Sequence, residues 1–517
     1  MKIERTRNAI RNTKWGVVQK TVNILFPFIV RTVLIYTLSA EYAGLSSLFT
    51  SILSILSLTE LGFSNAIVYH MYKPIANDDK EKVCTLLNVY KKAYLVIGIV
   101  ILIIGISIIP ILPYLIKDDI PDSINLYVLY GVYLANNVIS YFLYGYKTSL
   151  LSAYQREDII SKNTLIYTVL LNGFQCIILI FFRNYYAFVV IIPLATIVLN
   201  LLNNRSAKKM FPEFKPEGKL DAGEKSELRR SIVGLMIWKL GGATRNTFDS
   251  IVVSMYLGLV TVSIYNNYFY IIYGLNAILG VIITSITAGV GNKIATDTPE
   301  NNYKDFRKFQ FYYNWIAGLC AIYLMCLYQP FMNLWMGSKM MFSNGIMFLF
   351  CYYFLMLQQG NINSVYYHAA GLWWHGRIRS IIEAIVNLCL NFVLGKYWGV
   401  VGILLATIIS FSCINFYGSK FIFTEYFKNK KTLKYFVENY YCALITCICG
   451  IISYVITEYF AKIVGFNLII RLVIGVCVCT LIPNIMFFLV YSCNKTYKVY
   501  IREAIKNISK LRRVANG

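Results

Sequence analysis

Lys20 and Arg31 lie eleven residues apart inside one apolar run, WGVVQKTVNILFPFIVRTVLIYTL at 15–38. On a helix that spacing is about three turns, so both share one face about 16 Å apart, on a stripe with Asn23 and Pro27. A cation near the middle of a membrane helix costs about 2.5–3.5 kcal/mol on insertion scales, so it turns toward protein or a water-filled cavity. A second reading stays open, in which Lys20 snorkels to the inner interface and Arg31 to the outer one. A later run, WKLGGATRNTFDSIVV, adds Lys239, Arg245 and Asp249. Arg245 and Asp249 stand at i, i+4 and can pair, either as part of a site or as a lock between packed helices. Glu60, on a stripe with Ser57 and Ser64, either neutralises Lys20 or Arg31 or binds a coupling ion. Lys147 is a further cation in an apolar run.

Amides and tyrosines gather in three of the runs: Asn136, Asn137 and Tyr144 in the fourth, Asn266, Tyr270 and Tyr273 in the eighth, and Gln358, Gln359, Asn361 and Asn363 in the tenth. Amides exchange hydrogen bonds with sugar hydroxyls, and aromatic faces cover the apolar faces of sugars. The same side chains also serve as interhelical glue.

The elements that must carry these residues follow from composition. The chain has 517 residues, 57% hydrophobic and 14% charged, with mean hydropathy +0.57. Apolar runs of about 20 residues recur, continuous rather than alternating, which predicts an all-α polytopic membrane protein rather than a barrel. About fourteen spans are expected, with both termini inside. The net charge of +24 sits mainly in alternate loops, as the positive-inside rule requires, with single cations such as Lys117, Arg183, Lys339, Lys396 and Lys462 in the others. That distribution favours anionic membrane lipid over nucleic acid as partner.

One composition shift, the charged stretch 205–230, separates an N-lobe at 1–204 (spans 1 to 6) from a C-lobe at 231–420 (spans 7 to 12). Spans 13 and 14 and a basic tail fill 421–517. A weak internal repeat supports the division. A slide of about 219 residues sets Lys20 on Lys239 and Arg31 on Ser250, Pro110 falls on Pro330, and LATI at 194–197 recurs at 405–408. Related halves with a substrate site between them are frequent among transporters.

Other chemistries find no support. There is no GxxxxGK[ST] loop for ATP. The thirteen cysteines lie mostly in apolar runs without neighbouring His or acidic ligands, so they read as core residues. His70, His368 and His375 have no metal spacing. The basic start followed by a long apolar run reads as an uncleaved anchor rather than a signal peptide. No metal, no resident cofactor and no catalytic residue is expected.

The stretch RTVLIYTLSAEYAGLSSLFTSILSILSLTELGFSNAIVYHMYKPIANDDKEKV at 31–83 resembles the N-terminal signature of bacterial polysaccharide-repeat-unit flippases. These belong to the multidrug/oligosaccharidyl-lipid/polysaccharide exporter superfamily. RNTFDSIVVSMYLG at 245–258, YQPFMNLWMG at 328–337 and NLCLNFVLGKYWGVVGILLATIIS at 387–410 extend the resemblance over nearly the whole chain. It departs at Ser39, where a glycine is usual. The resemblance implies two six-helix lobes in a V around a central cavity, and alternating access that carries an undecaprenyl-diphosphate-linked oligosaccharide from the cytoplasmic to the outer leaflet of a bacterial cell membrane. Related peptidoglycan-precursor flippases need a helix-1 arginine, which Arg31 matches; their following aspartate is Thr32 here.

On this expectation Arg31, Lys20, Arg245, Lys239 and Lys147 form a cationic cavity for the diphosphate. Asn137, Tyr144, Asn266, Tyr270, Tyr273, Gln359 and Asn363 face the glycan, and Glu60 or Asp249 balances charge or binds H⁺ or Na⁺. An inside-negative potential supplies about 2.3 kcal/mol per charge per 100 mV toward outward movement of an anionic head group. A polysaccharide polymerase and glycosyltransferases are the expected protein partners. A peptidoglycan-precursor flippase, a cation-coupled drug antiporter and a membrane polymerase or ligase are the alternatives, in that order.

Overall fold

In hydrocarbon every backbone N–H and C=O must be satisfied within its own segment, so long apolar runs fold as helices. The computed structural model of the chain is helical throughout, with no strand among the described residues. It describes the backbone of residues 5–60, 63–117, 120–370, 372, 377–428, 430–464 and 468–515. Side chains at 5–10, 58–59, 230–231, 234–235, 237–246, 288, 295, 377–380, 414, 416–417, 464 and 507–515 lie outside the description. The chain forms two compact units, one of residues 1–270 with 380–399, the other of residues 271–379 with 400–517.

In the first unit α1 (Arg5–Thr37) packs along α7 (Glu157–Ile177), while α2 (Ala40–Leu56) packs on α9 (Ala222–Leu257). Ser39, at the turn between α1 and α2, has φ 176 and ψ 179. This is extended backbone that any residue adopts, so the turn needs no glycine. The second expected span is broken. After α2 a 3₁₀ turn at Ser57–Glu60 precedes α3 (Phe63–Ala76), and α4 (Lys80–Ile108) starts where Asp79 accepts from the Lys82 amide at 2.9 Å. The fourth span is broken too. Next after α5 (Leu126–Phe142) comes Tyr144 at φ 58, and α6 (Thr148–Ala153) with its leading 3₁₀ turn is bent 51° from α5. A side chain in that left-handed region costs about 1–2 kcal/mol. Gly145 is required beside it, because a Cβ there would lie 2.4 Å from the Ser140 carbonyl oxygen.

Gly44 sets a close approach, and Gly258 a left-handed turn. A Cβ on Gly44 of α2 would lie 2.2 Å from the carbonyl oxygen of Leu259, the first residue of α10 (Leu259–Thr296). Gly258, between α9 and α10, has φ +85. The charged stretch 205–230 is not a free tether. Helix α8 (Tyr185–Met210) runs into it, and Phe211, Phe214 and Leu220 are buried beyond α8. Asn88 donates to the Gly218 carbonyl at 2.8 Å, and Lys80 and Lys82 of α4 pair with Glu213 and Glu224.

In the second unit α11 (Pro299–Met336) lies against α12 (Asn344–Gln359), α13 (Asn361–Ala369), α15 (Thr432–Val464) and α16 (Leu468–Ser492). Arg307 grips Glu438 with two bonds, at 3.2 and 2.5 Å, tying α11 to α15. Gly360 separates α12 from α13. Helix α14 (Arg377–Glu425) is two helices joined at Gly399, where φ is +56 and the path is not helical. The basic tail beyond α16 is helix α17 (Lys495–Ala515), with Tyr497 stacked on Phe311 at 4.6 Å. Among the described residues nine helices are long and apolar enough to cross a membrane, or ten if α5 and α6 form one bent span. The expected fourteen further count α2 with α3 and α12 with α13 as single broken spans, α14 as two divided at Gly399, and α9, part of whose side chains lie outside the described residues.

Candidate functional site

Arg31 lies on the buried side of α1, 7% exposed. Its Nε donates to Oδ1 of Asn267 at 2.5 Å, one terminal nitrogen donates to Ser47 Oγ at 3.2 Å, and the other donates to the Ser263 carbonyl at 3.0 Å. The guanidinium also sits 5.2 Å from the centre of the Tyr270 ring. Ser263, Asn267 and Tyr270 are spaced four and three residues apart on α10, so one helical face presents all three. Ser47 follows Gly44 by three residues on α2, so the close approach at Leu259 brings α2 and α10 together around the same cation.

All of these partners are neutral. Among the described residues no carboxylate is paired with Arg31, although buried cations are ordinarily paired. Asn267 is fully buried, and its Nδ2 has no hydrogen-bond partner among the described residues. The site therefore holds a positive charge and a spare amide donor together, a combination that an anion would satisfy.

The other expected cations are placed differently. Lys20 is exposed. Lys147 is buried, with its ammonium over the Tyr144 ring at 5.7 Å. The side chains of Lys239 and Arg245 lie outside the described residues, and with them the expected Arg245–Asp249 pair. Asp249 is fully buried and accepts from the Tyr265 hydroxyl at 2.9 Å and from Asn391 at 2.6 Å. Glu60 bonds neither Lys20 nor Arg31. It accepts from the hydroxyls of Tyr94 and of Tyr141, the latter at 2.6 Å.

The expected glycan-facing residues separate into two kinds. Asn137 bridges Ser57 and the Leu53 carbonyl, and Tyr144 is exposed at the break after α5. Tyr270 lies against Arg31, and Tyr273 is exposed. By contrast Asn266 bonds Ser250 and its own helix, Gln359 bonds the Asn439 carbonyl, and Asn363 bonds Ser419 at 2.8 Å. These last three act as interhelical ties, as the two bonds of Asn137 also do between α5 and the end of α2. Sequence reasoning missed Ser47, Ser263 and Asn267. The polar spacing Ser263–Asn267–Tyr270 on an apolar helix was the available signal.

No protein-family model matches the sequence, and no curated protein matches it. Solved structures are similar in fold. The lipid II flippase MurJ in an inward closed conformation superposes with a TM-score of 0.64 at 15% identity, covering 92% of this chain and 99% of MurJ. An inward-facing MATE multidrug-resistance transporter of the MOP superfamily gives 0.62 at 14%, covering 82% of this chain and all of that one. A MOP superfamily transporter from Pyrococcus furiosus, described as having a binding pocket of reversed polarity, gives 0.52 at 15%, with 82% and 96% covered. The chain has the fold of these all-α multi-pass membrane proteins.

Proposed function

We propose that this protein is a flippase that moves a polyprenyl-diphosphate-linked oligosaccharide across a bacterial cytoplasmic membrane by alternating access, both termini being cytoplasmic. The observation that carries the reading is Arg31, a buried guanidinium whose partners among the described residues are all neutral, beside an Asn267 amide that has no partner among them. A diphosphate oxygen would pair the guanidinium with opposite charge, and Arg–phosphate pairs are frequently bidentate, adding energy and geometric specificity. Asn137 and Tyr144 serve the glycan, while the polyprenyl tail stays in lipid. Lys20, Lys147, Lys239 and Arg245 supply further positive potential along the path. Asp249 and Glu60 are the acids available to couple H⁺ or Na⁺, with the membrane potential as an alternative driving force.

The likeness to the lipid II flippase supports a lipid-linked substrate and keeps a peptidoglycan precursor as the second reading. Rescue of cell-wall synthesis in a strain lacking its own flippase separates the two. Replacing Arg31 by Ala at normal protein level is expected to lower surface polysaccharide and to raise the lipid-linked intermediate. Unchanged export would remove Arg31 from the mechanism.

A further inference from the structure

The first unit contains a polar recess of about 560 Å³ around Glu60, within the size range of small-molecule sites. Its lining includes Asn136, Asn137, Ser140, Tyr141, Thr196 and Asn200. A second cavity of about 380 Å³ adjoins it, sharing Ser152 and Glu157 and adding Asn12, Ser64 and Gln155. The break after α5 makes the recess, since Gly145 and Thr148 line it where the span bends. Discontinuous membrane helices are where transporters place binding sites.

The electrostatics of the recess are one-sided. Glu60 stands inside and Glu157 at both cavities, and no Lys or Arg is among the described lining residues. Nearby cations are held elsewhere: Lys147 lies on the Tyr144 ring, and Arg11 and Arg156 pair with Asp158. Each Glu60 oxygen accepts from one tyrosine hydroxyl and keeps a further acceptor site. This is the opposite of the surroundings of Arg31, which suit an anion.

We propose that the Glu60 recess binds the sugar portion of the transported molecule and selects amino or neutral sugars over uronic acids, Glu60 taking an ammonium or hydroxyl donor. The proposal rests on the flippase reading and deepens it. It assigns the diphosphate and the sugar to separate places of opposite charge preference. A glycan with carboxylates would meet Glu60 and Glu157 and be rejected by like charge, whereas hydroxyls and amines meet amides, hydroxyls and carboxylates.

The test is calorimetric titration of the purified full chain in nanodiscs with three soluble trisaccharides. These are the glucosamine trimer, the N-acetylglucosamine trimer and the galacturonic acid trimer. The expected order of affinity is glucosamine, then N-acetylglucosamine, then galacturonate, with roughly tenfold or more between the extremes, the size of one charged hydrogen bond. Glu60→Gln is expected to remove most of that ratio, and Asn137→Ala to weaken the neutral trimer several-fold (~3–10) while leaving the ratio. If Glu60→Gln folds poorly, Glu157→Gln at the mouth is expected to narrow the ratio in a folded protein. Equal or tighter galacturonate binding overturns the proposal, as does a ratio indifferent to both glutamates. So does a Glu60-dependent response to sodium chloride over choline chloride with no response to any trimer. Geranyl diphosphate is titrated in parallel. If it binds through Arg31 while the trimers do not discriminate, the sugar assignment alone fails; if it does not bind either, the flippase reading fails with it.

Discussion

Arg31 donates from Nε to Oδ1 of Asn267 at 2.5 Å, while the Nδ2 of that asparagine has no partner among the described residues. A carboxylate at 267 would accept from Arg31, remove the orphan donor and neutralise the charge in one change. Asn267→Asp is therefore expected to keep or raise the melting temperature while lowering transport by roughly tenfold or more, because the cation is then paired. Thermal unfolding and export measured on the same preparation check it. Full transport by the aspartate variant would mean that Arg31 acts as a packing tie only.

Gly44 fixes how closely α2 meets α10. A Cβ 2.2 Å from the Leu259 carbonyl cannot be accommodated without backbone movement. Gly44→Ala is expected to cost about 1–3 kcal/mol, the usual range for overpacking. It also draws Ser47 away from Arg31, so transport is expected to fall along with stability. Gly16→Ala is the control, since nothing lies within 4 Å of a Cβ there.

Gly218 anchors the connection between α8 and α9 at φ +93, with the Thr85 hydroxyl 2.2 Å from where a Cβ would stand. Gly218→Ala combines strain with a clash, and is expected to loosen this segment and expose the 211–221 stretch to protease. The Lys82–Glu224 pair closes the same segment. Its hydrogen bond from Lys82 holds Glu224 below the ordinary carboxylate range. A depressed carboxylate contributes fully above its unfolded pKa and loses the contribution as pH falls through the folded one. The difference in proteolysis rate between wild type and Glu224→Gln is thus expected in full at neutral pH, to shrink as pH falls below the ordinary glutamate range, and to vanish only below the depressed pKa of Glu224 itself.

Much of the fold was legible because bilayer physics acts on composition alone: continuous apolar runs can only be helices. What escaped were the breaks. Tyr144 occupies a left-handed conformation that a tyrosine does not announce, and the 3₁₀ turn at Ser57–Glu60 has no Pro or Gly of its own. Arg31 was legible because a charge in an apolar run is rare and expensive. Its partner was not, since α10 carries Asn266 and Asn267 side by side and only the position of α1 decides between them. Asn266 shares a face with Tyr270 and Tyr273, whereas Asn267 shares one with Ser263 and Tyr270. Glu60 was recognisable as an acid needing a partner. That tyrosines from α4 and α5 supply the donors depends on tertiary packing that spacing within one helix does not encode.

Asp249 tests coupling. It accepts from Tyr265 and Asn391, and Asn at this position keeps the shape while removing the charge. Asp249→Asn is expected to remove the dependence of transport on an imposed Na⁺ or pH gradient in proteoliposomes, while substrate binding persists. A gradient response equal to wild type would exclude Asp249 from coupling.

The most direct measurement is the rate at which purified protein in liposomes flips a fluorescent polyprenyl-diphosphate saccharide, for wild type, Arg31→Lys and Arg31→Ala. Lysine keeps the charge but cannot reach Ser47, Ser263 and Asn267 together, so an intermediate rate is expected. Alanine is expected to be slower by roughly tenfold or more, the loss of one charge-assisted contact, with the protein still folded. Flipping by Arg31→Ala at the wild-type rate would contradict the account.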